Sequence, residues 1–248
     1  MSLTVHQFPC LSDNYGFLVR DDATGKTATI DTPDADAILA QLDKLGWTLD
    51  LILNTHWHPD HAGGNAAIQA ATGATIVGPQ EVTRIAPLDR PVVQDDTVML
   101  GDTTLAVIDT GGHTLGHIAY HDAADGIAFV GDTLFALGCG RLFEGTAEQM
   151  WGSLAKLTAL PDHTTVYCAH EYTASNARFA LSVDDDPALK DRADAVFAAR
   201  ERGEPTVPTT IGLEKATNPF LRAPLLRPHL PPAEAFGEIR AAKDGFKG

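Results

Sequence analysis

Short apolar runs broken by Asp, Asn and Gly dominate the first two thirds of the chain. Leu3–Phe8, Tyr15–Arg20 and Thr27–Asp31 read as strands, because β-branched and aromatic residues lie between turn-forming ones. A helix is expected next. Thr32 can cap it, Pro33 suits its first turn, and Ala35, Ile38, Leu39, Leu42 and Leu45 recur at helical spacing. Residues 50–54 predict a buried strand, and a second helix is expected from Gly63 or Asn65. Further strands are predicted at 74–77, 97–100, 104–110, 117–121, 127–132 and 164–169. Thr146 and Gln149 have capping-box spacing ahead of a helix that turns Trp151, Leu154 and Leu157 to the core.

After residue 172 the pattern becomes helical. Asp186 caps one helix with Pro187 behind it, prolines through 205–232 predict a loop, and residues 233–243 predict a last helix. The expectation is therefore an α/β chain of two domains, residues 1–172 and residues 173–248.

Composition narrows the function. The 248 residues hold no apolar run of the roughly 20 needed to cross a bilayer, and the N-terminus lacks the features of a secretion signal. A net charge of −15 opposes binding to nucleic acid or to anionic membrane. Cys10, Cys139 and Cys168 are few, odd in number and far apart, which suits a reducing, cytoplasmic setting. A monomer is the default expectation.

The chemistry lies where strands end. After the strand at 50–54 the chain reads T-H-W-H-P-D-H-A-G-G-N, with His56, His58, Asp60 and His61 inside six residues. A chain of this composition produces H-x-H-x-D-H by chance on the order of 10⁻³ times. His113 follows the strand at 104–110, Asp132 the strand that begins at 127, and His170 the strand at 164–169. Five histidines and two aspartates suffice for two divalent metal ions. Nitrogen and oxygen donors without thiolate suit zinc first, with iron or manganese as alternatives. A purely structural zinc site is disfavoured, since such sites are usually closed by thiolates. His117, four residues beyond His113, reads as an orienting group; His6, His121, His163 and His229 have no special context.

These motifs resemble the metallo-β-lactamase superfamily, and within it the hydroxyacylglutathione hydrolase family. The segments L-S-D-N-Y-G-F-L-V, T-H-W-H-P-D-H-A-G-G-N, F-V-G-D-T-L-F-A-L-G-C-G-R-L-F-E-G-T, A-H-E-Y-T, T-N-P-F-L-R and K-D-G-F-K carry the likeness across residues 11–247. The resemblance implies a four-layer αββα sandwich with a small C-terminal helical domain. It implies His56, His58 and His113 on one metal, Asp60, His61 and His170 on the other, and Asp132 bridging them. Asp60 would also orient the attacking hydroxide. It implies hydrolysis of S-(2-hydroxyacyl)glutathione, chiefly S-D-lactoylglutathione, with Arg141, Phe143, Tyr172, Arg240 and Lys243 contacting the glutathione. Arg240 and Lys243 are three apart on the last helix and would share a face.

A thioester suits such equipment, because a thiol of ordinary pKa, about 8.5, leaves without a strong general acid. The chain departs from the family pattern at Arg141, where Lys is usual, and at Phe143, where Tyr is common; the missing hydroxyl would cost about 0.5–1.5 kcal/mol if it contacts glutathione. The rival readings are a glutathione persulfide dioxygenase with one iron, and another hydrolase of the fold such as a lactonase.

Overall fold

The computed structural model describes residues 3–247. The chain forms two compact units. One comprises residues up to 109 together with 116–131, and the other comprises 110–115 with 132 onward.

In the first unit, strands Leu3–Cys10, Asn14–Asp21 and Thr27–Ile30 run antiparallel in sequence order. Leu51–Leu53, Thr75–Gly78 and Arg90–Pro91 then add in parallel. Leu51–Leu53 and Thr75–Gly78 are short, mainly apolar and largely buried, as strands covered on both faces must be, whereas Arg90–Pro91 is an exposed edge. Helices Ala35–Leu45 and Asn65–Thr72 supply the cover. Ile38, Leu42 and Ile68 pack with Leu18, Ile52 and Ile76 in one cluster of buried residues. Strands Thr97–Leu100, Thr103–Asp109, Ile118–Asp122 and Ile127–Gly131 form an antiparallel meander. The meander packs on the first sheet: Phe17 and Phe129 meet at 6.0 Å, and the Tyr120 hydroxyl donates to Asn54 O at 3.0 Å. The first unit is thus a sandwich of two sheets with helices over one of them.

The second unit is mainly helical. Helices Ala147–Thr158, Thr173–Val183, Pro187–Glu201, Ile211–Thr217, Ala223–Leu226 and Pro232–Asp244 accompany a short hairpin, Leu134–Phe135 with Gly138–Cys139, and an antiparallel pairing of Thr165–Cys168 with Thr209–Thr210. Trp151, Phe236, Phe220 and Phe179 form a chain of ring contacts at 5.7–6.2 Å through its interior.

Two caps occur as the pattern predicts. Thr146 and Gln149 form a capping box, and Asp186 accepts from Ala188 N ahead of a helix whose first residue is Pro187. Two expectations are corrected. Asp34, not Thr32, caps the first long helix, accepting from Ala37 N. Thr32 is fully buried, and its hydroxyl and amide turn to Asn65 Oδ1 and His61 O. The stretch 205–232 is no plain loop either. It holds the helices at 211–217 and 223–226, the first capped by Thr210. The prolines there precede or open helical turns rather than interrupting them.

Candidate metal centre

The histidine cluster begins three residues past the end of strand Leu51–Leu53 and enters a single helical turn, Pro59–Ala62. Asp60 and His61 therefore stand on that turn instead of in open loop. Buried amides fix it. Asn54 Nδ2 donates to His61 O at 2.9 Å, Thr32 N donates to the same oxygen at 2.7 Å, and Asn65 Nδ2 donates to Asn54 Oδ1 at 2.7 Å. Asn54, which precedes T-H-W-H, and Asn65, which ends G-G-N, thus share one set of hydrogen bonds around His61. Trp57, between two histidines, turns its ring to Arg84, whose guanidinium carbon lies 4.2 Å from the ring centre.

Within the first unit, His56 Nε2 and His58 Nδ1 are 3.0 Å apart, and His61 Nε2 lies 3.5 Å from Asp60 Oδ2. Asn14, from the L-S-D-N-Y segment, donates to Asp60 Oδ2 at 3.1 Å. His117 is fully buried and stacks on His56 with ring centres 4.7 Å apart, which suits an orienting group. Gly131 makes that stacking possible. At φ +48°, a Cβ there would lie 2.7 Å from His117 Nε2 and 2.6 Å from Thr55 Oγ1.

The second unit carries its own constellation. Asp132 is buried, with Oδ2 3.4 Å from His113 Nε2 and Oδ1 3.3 Å from His170 Nε2. One carboxylate therefore reaches two imidazoles with separate oxygens. His113 Nδ1 pairs with Arg141 O at 2.8 Å, so its proton belongs on Nδ1 and its lone pair on Nε2. Gly140 lets that segment come close, since a Cβ there would overlap Asp132 O and lie 3.2 Å from His113 Nδ1. The ring of Tyr172 lies parallel to that of His170 at 4.7 Å, and Phe143 meets His113 edge-on at 5.2 Å.

The expected glutathione contacts are placed unequally. Arg141 and Phe143 are largely exposed, and Tyr172 is partly so. Lys243 is half-buried, donating to Ser175 O at 3.2 Å; burial and then the charge of Arg240 push its pKa down to about 8 against the pull of Asp244. Arg240 is buried, only 6% exposed, and does not share an outward face with Lys243. Its guanidinium donates to Cys139 O and to Asp244 Oδ1, each at 2.9 Å, and lies over Phe220.

The sequence reading passed over Asp31. It is buried, adopts φ +58°, and its Oδ2 lies 2.8 Å from His61 Nδ1. Asp31, His56 and His61 bring ligand-type atoms within 4.8 Å of one another. The available signal was its place at the end of a strand, the same position that marked the other polar residues. The donor set fits divalent metals: imidazole nitrogens and carboxylates converge in each unit, several with the second ring nitrogen already engaged.

Comparison with known proteins is consistent along the chain. The model of the metallo-beta-lactamase superfamily matches residues 22–170, and that of the hydroxyacylglutathione hydrolase C-terminus matches residues 171–246. A protein of Maricaulis maris (strain MCS10) called hydroxyacylglutathione hydrolase is 58% identical, over 98% of this chain and 99% of its own. Another of that name from Erythrobacter litoralis (strain HTCC2594) is 56% identical, over 98% of this chain and 100% of its own. Among solved structures, ETHE1 from Myxococcus xanthus superposes with a TM-score of 0.66 at 26% identity, covering 98% of this chain and 100% of its own.

Proposed function

The chain belongs to the hydroxyacylglutathione hydrolase family, and from that premise we propose how its residues share the work of hydrolysing a glutathione thioester. It is a hydrolase acting on thioester bonds, of the metallo-β-lactamase fold. His56, His58 and His113 hold one divalent metal, Asp60, His61 and His170 hold a second, and Asp132 serves both. The observation that carries this assignment is the Asp132 carboxylate, with one oxygen at 3.4 Å from His113 and the other at 3.3 Å from His170. Zinc is the first candidate, then iron or manganese. When bound, such ions bring the pKa of a water toward neutrality and stabilise negative charge on a carbonyl oxygen.

The side chains position what the metals act on. Asn14 holds the carboxylate of Asp60, which orients the attacking oxygen. Tyr172 and Phe143 fix the ring planes of His170 and His113 while presenting exposed apolar surface to substrate. Arg141 and Lys243 offer cations to the glutathione carboxylates. Arg240 contributes by holding the Cys139 carbonyl, two residues from Arg141. The departing thiolate needs no dedicated acid.

The division at residue 172 follows from this reading, with 1–172 carrying the metals and 173–248 completing the substrate site. The charge of −15 supports a small-molecule partner rather than nucleic acid, and a monomer suffices for the proposed site. Among the described residues no helix is long and apolar enough to cross a membrane. All three cysteines are unpaired and buried, which supports a cytoplasmic setting. The dioxygenase and lactonase readings are not favoured, because the relatives above 50% identity carry the hydrolase name.

The direct test is hydrolysis of S-D-lactoylglutathione, followed as loss of thioester absorbance, before and after chelation and after adding back zinc, iron or manganese. Turnover lost on chelation and restored by metal is expected. A protein shown to hold two metals that leaves this thioester intact would reject the substrate. Lys243 adds a pH signature. Its amine is charged below about pH 8 and neutral above, so KM for the thioester should climb as pH rises through 8 while kcat is unaffected. Lys243→Arg should remove that climb, and an unchanged KM profile would take Lys243 out of the substrate site.

A further inference from the structure

We infer that Asp31 is a positioning residue that sets the proton location on two histidines of the first cluster at once. The inference rests on the metal-binding reading above and adds a residue that the metal motif does not contain.

Asp31 Oδ1 accepts from Thr55 N at 2.7 Å, and Oδ2 accepts from the Thr55 hydroxyl at 2.8 Å. His61 Nδ1 lies 2.8 Å from the same Oδ2. A carboxylate is an acceptor only, so His61 must carry its proton on Nδ1 and direct its lone pair from Nε2, the nitrogen on the Asp60 side. Thr55 relays the constraint. Its hydroxyl has a single hydrogen, which is spent on Asp31, so its oxygen can only accept from His56 Nδ1, 3.0 Å away. His56 is thereby left with its lone pair on Nε2, the nitrogen 3.0 Å from His58 Nδ1. One buried carboxylate thus fixes the tautomer and ring orientation of His61 directly and of His56 through Thr55.

The backbone supports the same reading. Asp31 holds φ +58°, a region in which only glycine is at ease and which asparagine and aspartate tolerate best among the rest. Its amide donates to Leu53 O at 2.9 Å, and its carbonyl accepts from the Thr29 hydroxyl at 2.8 Å, so the residue is held at both ends. Although Asp31 could be grouped with His56 and His61 as a ligand, its Oδ2 already accepts two hydrogen bonds and its Oδ1 a third. The His61 nitrogen facing it is the protonated one, so the two cannot serve one ion through these atoms.

The test measures metal affinity and stoichiometry, with the cobalt-substituted protein's visible spectrum as a second readout. Asp31→Asn keeps a residue that tolerates φ > 0 but offers one acceptor oxygen in place of two. Thr55→Val cuts only the branch to His56, and Thr55→Ser should restore it. Asp31→Asn is expected to weaken binding at both metals, and Thr55→Val at the one served by His56. Each loss should be about 10- to 100-fold, with a shifted cobalt spectrum, as for other groups that orient ligands. Wild-type affinity and spectrum in Asp31→Asn, or in Thr55→Val, would overturn the inference. If Asp31→Asn fails to fold, the Thr55→Val and Thr55→Ser pair decides. A wild-type protein that binds no metal would instead overturn the metal-binding reading itself, so the two failures are separable.

Discussion

Asp132→Ala is expected to lower kcat/KM for S-D-lactoylglutathione by about 10⁴-fold and to reduce bound metal from two ions per chain to one or fewer. The size follows from two separate losses. With zinc as the ion, a water whose pKa returned from about 7 to about 9 would be roughly fifty times less ionised at pH 7. Loss of the preorganised charge around a developing oxyanion costs a further 10²-fold or more. The structural reason is local. Asp132 is buried, and its two oxygens are each directed at a different imidazole, His113 and His170. Alanine removes both approaches together, whereas Asp132→Asn keeps one acceptor oxygen and should fall between alanine and wild type. The measurement pairs steady-state kinetics with metal analysis of the same preparations. Two ions retained with less than a tenfold loss of kcat/KM would show that Asp132 is not the shared ligand.

How far the sequence carried this site depends on which interaction set each residue's place. The seven expected ligands stood out because polar residues at the ends of apolar runs are conspicuous, and the structure finds His56, His58, Asp60 and His61 together in one unit and His113, Asp132 and His170 together in the other. Asp31 had the same signal, ending the run T-A-T-I-D, but nothing local marks it. Its role depends on Thr55, which is 24 residues away, and on His61, which is 30 away. Thr32 and Asp34 compete for one cap, and local propensity favours either. The choice is settled by Asn65 and the His61 carbonyl, which take up Thr32. Arg240 looked like a surface cation because it is charged and lies three residues from Lys243. The side chain is instead drawn inward by the Cys139 carbonyl, 101 residues away. Misjudged positions share this feature: a partner distant in sequence decides them.

Glu214→Ala should destabilise the fold by about 3–5 kcal/mol, the usual cost of stripping one partner from a buried ion pair. At about 2–4 °C per kcal/mol for a chain of this size, the melting temperature should fall by roughly 10 °C. Glu214 is completely buried in a stretch whose prolines predicted a loop. Its Oε1 accepts from Arg192 and, at 2.6 Å, from the Thr209 hydroxyl; its Oε2 accepts from Leu137 N and Asn218 Nδ2, each at 2.9 Å. Truncation therefore strands a guanidinium that is itself 9% exposed and leaves buried N–H groups without their acceptor.

Leu137 makes the consequence reach the site. It is a fully buried, non-glycine residue at φ +57°, in the turn between the strands at 134–135 and 138–139. Such a conformation costs about 1–3 kcal/mol and persists only where the surroundings impose it. Glu214 imposes it through Leu137 N, Asn176 through Ala136 O at 3.1 Å, and Asn218, from the T-N-P-F-L-R segment, through Phe135 O and Gly138 O. The hairpin around that turn begins two residues beyond Asp132 and leads to Gly140 and Arg141, whose carbonyl holds His113. Glu214→Ala should consequently lower metal affinity as well as stability, whereas Glu214→Gln, which keeps the acceptor oxygen, should lose less of both. Thermal melts and metal titration on the two variants make the comparison. An alanine variant destabilised by less than about 1 kcal/mol would mean that the turn is held without Glu214, since a buried ion pair that matters cannot be halved so cheaply.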